Sequence, residues 1–194
     1  MRIAALAVVA ALALSGCTSS DSLAEKSREI GQNYESGNSV SEIAVEDRQS
    51  PVEFEGETDA GTLVSSKDYA GRVLVLNFWY AGCPPCRVEA PDLQALNEEF
   101  ENESVSFLGV NVRDQAATSA STTGEWGITY PSIVDTNDKN VVLAFAGTVA
   151  PKAVPPTLVI DKQGRVAARY LGFIESPSIL RTLIKDALAE PEAG

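Results

Sequence analysis

The chain has 194 residues, enough for one domain of ordinary size. It carries 15 Lys plus Arg against 27 Asp plus Glu, a formal charge of −12, and so lacks the basic footprint that nucleic acid requires. It has no histidine and three cysteines, which excludes a Ser-His-Asp triad, a Cys-His protease, a His-ligated or four-cysteine zinc site and a haem attachment site ending in histidine.

Arg2 precedes an unbroken apolar run from Ile3 to Leu14. That run is too short to cross a bilayer, which takes about 20 residues. Its length suits the hydrophobic region of a signal peptide. Leu14, Ser15, Gly16 and Cys17 follow it directly and resemble the bacterial lipobox, in which small residues precede a cysteine that is lipidated and becomes the new N-terminus. The resemblance implies a signal peptide over residues 1–16, lipidation at Cys17 and an extracytoplasmic, lipid-anchored protein at the cell membrane. A plain secretory leader with a chance cysteine is the alternative. An acidic chain gains nothing from anionic lipid, so acyl chains would supply the anchoring.

Residues 17–50 read as the lipidated N-terminus and a solvated tether, rich in Ser, Glu, Asn and Gln. A short helix over Leu23 to Ile30 is compatible with that. The folded domain is expected over 51–194. Val52 and Phe54, then Thr62 to Val64, read as short strands around a turn-rich stretch. Ser65 or Ser66 caps a brief helical turn that Gly71 ends. Val73 to Trp79 is an almost continuous apolar run, expected of a strand covered on both faces. A helix follows from Cys83 to about Phe100, with Pro91 inside it. Val105 to Val112 is a second buried strand, Gln115 to Trp126 a weaker helix, and Ser132 to Asp135 a short strand. Asn140 to Phe145 is a helix with Asp138 as its expected cap. Two strands, Thr157 to Ile160 and Arg165 to Tyr170, are joined by a turn at Asp161 to Gly164. Ser176 caps a last helix that opens on Pro177 and runs to about Leu188. The order of elements predicts an α/β fold: a mixed central sheet with helices on both faces.

Cys83, Pro84, Pro85 and Cys86 carry the chemistry. They sit directly after a buried strand and open a helix. Cysteines at this spacing can reach one another for a disulfide. Unpaired N–H groups and the positive end of the helix dipole stabilise a thiolate there, and the thiolate is the attacking species in disulfide exchange. Cys83 is expected to be the exposed nucleophile and Cys86, one turn in, the resolving thiol. Pro84 and Pro85 restrict the loop. A structural disulfide over so short a loop would constrain the unfolded chain very little. A zinc half-site would need ligands from a second chain. No metal or cofactor is expected.

The segment from Asn77 to Pro91 resembles the active-site segment of the thioredoxin fold, and more narrowly the TlpA/ResA-like branch of membrane-anchored thiol-disulfide oxidoreductases. The likeness extends from about residue 50 to 188, including extra N-terminal strands and an insertion. It implies that Cys83 and Cys86 are the redox pair and that Pro91 kinks the active-site helix. It also implies that Glu89 is the acidic residue near the dithiol, where a carboxylate tunes or shuttles protons. The bland alternative for Glu89 is an exposed helix glutamate favoured by the dipole. Ala153 to Asp161 resembles the cis-proline loop that faces the dithiol, with Pro155 the candidate and Pro156 the fallback. Many relatives carry Trp before the first cysteine, where this chain has Gly82. Trp79 and Tyr80 stand upstream instead, with Trp79 expected in the core.

The resemblance implies a reductant of extracytoplasmic protein disulfides, supplied by a membrane thiol donor of the CcdA type, with a role in cytochrome c maturation. The same fold run in reverse would be a disulfide-forming oxidase, because the potential depends on how far folding stabilises the thiolate. A lipoprotein binding module with an incidental disulfide is the alternative from another class.

Overall fold

The computed structural model describes residues 39–148 and 156–191. Six strands form the central sheet: β1 (Ser39–Glu42), β4 (Val73–Trp79), β5 (Val105–Asn111), β6 (Ser132–Val134), β7 (Pro156–Ile160) and β8 (Val166–Leu171). Their order is β1-β8-β7-β4-β5-β6. The β4, β5 and β6 strands run parallel, while β7 is antiparallel to both β4 and β8. The remaining two strands, β2 (Glu55–Glu57) and β3 (Leu63–Ser65), make a separate hairpin. Four α-helices are described: α1 (Pro84–Glu99), α2 (Ala116–Trp126), α3 (Asn140–Ala144) and α4 (Pro177–Ala189). This is the thioredoxin-like α/β architecture expected from the sequence.

All seven residues of β4 are buried, because each face of the strand meets its own core. Alternation along the strand divides them. Val73 and Val75 pack with Leu93 and Leu96 of α1, with Phe100 at its C-cap, and with Leu180 and Ile184 of α4. Leu74, Leu76 and Phe78 pack on the other side with Val141, Phe145 and Ile133. The sheet is thereby covered on both faces, and the C-terminal end of β4 is left at the rim, where α1 begins.

Four local expectations are corrected. The domain starts before residue 51: β1 pairs along the edge of β8, with Ser39 opposite Leu171 and Glu42 opposite Ala168. Backbone pairing, not apolar content, recruits this polar segment. Val52 and Phe54 lie in an extended segment outside any strand, with the Val52 N–H on the Gly164 carbonyl, and the ladder forms at Glu55–Glu57 instead. The α3 helix is capped by Asp135, whose carboxylate accepts the N–H groups of Val141 and Val142 at 3.0 and 2.8 Å; Asp138 does not cap it. Ser176 holds the N-cap position of α4, but its hydroxyl meets Ser178 rather than the helix backbone.

The corrected boundary is anchored by charge. The Arg48 side chain is buried and donates to Asp161 at 2.9 Å and to both oxygens of Glu190 at 2.6 Å. Its Nε donates to the Ile43 carbonyl. Asp161 also holds Arg165 and the turn N–H groups of Gln163 and Arg165. Removing one partner of such a group strands the others without a counter-charge. Arg48→Ala is therefore expected to lower unfolding stability by about 3 kcal/mol, read as a shift of the urea midpoint with unchanged slope.

Candidate functional site

Strand β4 delivers its C-terminal end to the sheet rim, and the chain then turns into α1. The Cys83 N–H closes the turn on the Tyr80 carbonyl at 3.1 Å. Cys83 is the N-cap of α1, and Pro84 and Pro85 occupy its opening positions. Proline fits there because its missing N–H would have had no helical partner. Cys83 and Cys86 form a disulfide with their Cα atoms 5.3 Å apart. The Cys86 N–H donates to the Cys83 sulfur at 3.3 Å. A donor so placed favours negative charge on that sulfur once the disulfide opens.

In this disulfide-bonded state Cys83 is not exposed. It is 2 % accessible, like Cys86, because its sulfur is turned over the first helical turn. The cystine packs with Trp79, and Tyr80 and Trp126 flank the cluster. Trp79 is buried, with its indole N–H on the Ser132 hydroxyl at 2.8 Å and its ring 5.3 Å from that of Trp126. Gly109 permits this arrangement. A Cβ there would stand 2.7 Å from the Ser132 oxygen and 2.9 Å from the Trp79 nitrogen. Gly109→Ala should then cost about 2 kcal/mol by overpacking, visible as a lowered melting temperature.

Glu89 lies one turn along α1 from Cys86, on the same side of the helix. It is fully buried rather than an exposed helix residue. One oxygen accepts from Asn77 at 3.0 Å and the other from the Ile174 N–H at 3.2 Å. Burial pushes its carboxyl up to about 7, against the lowering effect of those two hydrogen bonds. A carboxyl with that value exchanges protons near neutral pH. Burial, with a smaller contribution from the Glu89 charge, also raises the Tyr130 phenol. Asn77 makes a second bond to the Thr157 hydroxyl at 3.0 Å. The network thus ties α1 to β4, to the start of β7 and to the segment after β8.

Pro155 and Cys17 lie outside the described residues, while Pro156 opens β7. Asn77 and Thr157 were not singled out from the sequence. A signal was there for Asn77, the one polar residue in a seven-residue apolar strand. The segment after β5 was also missed. Asp114 accepts the Ala81 N–H at 2.6 Å, and Asn111 accepts the N–H groups of Arg113 and Asp114.

The sequence profile of the AhpC/TSA family matches residues 48–169. The chain is 33 % identical over 116 residues to the thiol-disulfide oxidoreductase ResA of Geobacillus kaustophilus, covering 60 % of this chain and 64 % of that protein. It is 27 % identical over 121 residues to ResA of Halalkalibacterium halodurans, covering 62 % and 66 %. The matched stretch thus spans just under two thirds of these relatives. Among solved structures, a secreted thiol-disulfide isomerase from Corynebacterium glutamicum superposes with a TM-score of 0.72 at 29 % identity, covering 78 % of this chain and 92 % of the other. A DsbF homologue from Corynebacterium diphtheriae gives 0.69 at 34 % identity, covering 76 % and 92 %.

Proposed function

The chain belongs to the AhpC/TSA family, as a ResA-like member of the thioredoxin superfamily, and from that premise we propose that it is a thiol-disulfide oxidoreductase acting on protein disulfides. The observation that carries this reading is the Cys83–Cys86 disulfide at the N-terminus of α1, with the Cys86 N–H on the Cys83 sulfur. In the reducing direction, the Cys83 thiolate attacks one sulfur of a substrate disulfide. That S–S bond breaks, the second substrate sulfur leaves as a thiolate and takes up a proton, and a mixed disulfide forms. Cys86 then loses its proton and attacks the Cys83 sulfur. The first substrate sulfur is expelled, and the two-electron oxidised pair seen here results. Glu89, titrating near 7, takes the role of proton acceptor for Cys86. The loop around Pro155 would offer backbone groups to the substrate beside Cys83.

The finer reading is that of a reductant at the outer face of the cell membrane. Cys17 is its lipidation site, a CcdA-type thiol donor supplies its electrons, and disulfides formed during cytochrome c maturation are among its substrates. The resemblance of Leu14 to Cys17 to a lipobox supports the anchor, and the resemblance of Asn77 to Pro91 to the TlpA/ResA-like branch supports the donor and the substrates. Among the described residues no helix is long and apolar enough to cross a membrane. The oxidase reading has one observation in its favour: a hydrogen bond that stabilises the Cys83 thiolate also stabilises the reduced form, which raises the potential.

Equilibration of the Cys83–Cys86 couple with a glutathione or dithiol buffer decides the direction, with emission of Trp79 as the readout because its ring packs on the cystine. A potential near about −270 mV, the thioredoxin end of the known range, is expected for the reductant. A potential near about −120 mV would overturn it in favour of the oxidase.

A further inference from the structure

We propose that Arg113, stacked on Tyr80, is a specificity-determining residue that selects disulfides flanked by acidic side chains. The inference rests on the exchange reading above. Tyr80, Ala81 and Gly82 run directly into Cys83. Gly82 is exposed and offers no side chain beside the nucleophile. A Cβ on it would stand 3.5 Å from the Tyr80 ring, so that ring lies against the residue next to Cys83. The Arg113 guanidinium sits on the ring, 4.0 Å from its centroid. Glycine, tyrosine and arginine thus form a layered platform at the edge of the dithiol.

Three features make the platform a recognition element rather than a surface charge. First, it is held in place. Asn111 fixes the backbone of Arg113 and Asp114, and Asp114 in turn accepts the Ala81 N–H, so both layers are tied to one turn. A guanidinium held on an aromatic face loses little freedom when it binds. Second, among the described residues its side-chain donors make no hydrogen bond. Among the described residues no carboxylate pairs with Arg113, and the adjacent Asp114 is engaged by Ala81 and Asn111. Third, a second exposed cation, Arg87, stands one turn into α1, with its N–H on the Cys83 carbonyl. The protein as a whole is strongly acidic. Beyond a Debye length of about 8 Å an approaching chain meets a screened field, and only in contact with the platform does a carboxylate find a fork to pair with. The matching partner is a peptide segment with Asp or Glu within a residue or two of its cystine.

The test uses the full chain carrying Cys86→Ala, which stops the reaction at the mixed disulfide. Peptide disulfides flanked by Glu, Gln or Lys are supplied, and each rate of mixed-disulfide formation is normalised to the same peptide's rate with free glutathione. The Glu-flanked peptide is expected to react about fivefold faster than the Lys-flanked one, the scale of an exposed charge contact. Arg113→Gln should bring that ratio close to one, Arg113→Glu should invert it, and Arg113→Lys should retain part of it. Raising ionic strength from about 0.05 to about 0.5 M should compress it. An unchanged ratio across the Arg113 variants overturns the proposal while leaving the exchange reading intact. Failure of the Arg113-intact protein to form a mixed disulfide even with the Gln-flanked peptide overturns both.

Discussion

Cys83→Ser is expected to lower the rate of thiol-disulfide exchange on the order of 10³-fold or more, because a hydroxyl supplies neither the thiolate nor a sulfur to carry the intermediate. Cys86→Ser should behave differently. The first attack needs only Cys83, whose sulfur still accepts the backbone N–H of residue 86. The mixed disulfide then has nothing to resolve it and accumulates as a species that dithiothreitol dissolves. Non-reducing gels and intact mass follow both variants against an insulin-like disulfide substrate. A Cys83→Ser protein that keeps its function would mean that the cystine is incidental and the domain a binding module. Trapping through Cys86 rather than Cys83 would reverse the assigned roles.

The second large effect concerns Glu89 and is a matter of stability. Its carboxyl titrates at about 7 in the fold, against an ordinary value of 4.5, with burial as the main cause. Between those values the folded protein holds a proton that the unfolded chain has released. Stability therefore falls as pH rises from about 4.5 and reaches its floor above about 7. At 1.36 kcal/mol per unit the loss is about 3 kcal/mol. Glu89→Gln keeps the shape and cannot ionise, but its amide nitrogen cannot accept, so it can serve only one of the two donors, Asn77 and the Ile174 N–H, that the two Glu89 oxygens serve. Its unfolding free energy should stay flat through this window. Relative to the parent it should gain about 3 kcal/mol between about pH 4 and about pH 8, on top of a pH-independent cost of about 1 to 3 kcal/mol for the lost acceptor. Urea titrations of the disulfide-bonded proteins at several pH values measure this. Parallel profiles for parent and variant would show that the carboxyl does not titrate in the window. The exchange rate offers a separate readout: if Glu89 accepts the Cys86 proton, the inflection near pH 7 in the resolving step disappears in the variant.

Much of the redox centre was legible because it is local. The apolar run of β4, the prolines at the first positions of α1 and the cysteine spacing together describe a strand, a turn and a helix start within fifteen residues, Val73 to Arg87. The phase of α1 also placed Glu89 near Cys86. What phase could not supply was the burial of Glu89. The Ile174 N–H that donates to it comes from the segment after β8, 85 residues away. The exposure expected for Cys83 failed for a related reason: the sulfur's direction depends on the pairing with Cys86 and on the packing of Trp79 beneath it.

The boundary at residue 50 was misplaced because composition reports on side chains, whereas the edge of β8 recruits Ser39–Glu42 through backbone groups. Sequence by itself determined the chemistry: no histidine, one cysteine pair at a helix start, and the α/β order of elements. Tertiary structure decided what surrounds that pair. Parallel pairing of β4 with β5, Trp79 opposite Asn111, brings Arg113 over Tyr80 and Asp114 onto Ala81. Antiparallel pairing of β4 with β7, Asn77 opposite Thr157, closes the network beneath Glu89. Those contacts join residues some 30 to 80 positions apart. A local pattern fixes the conformation of neighbours along the chain, whereas strand register fixes which distant side chains share a site.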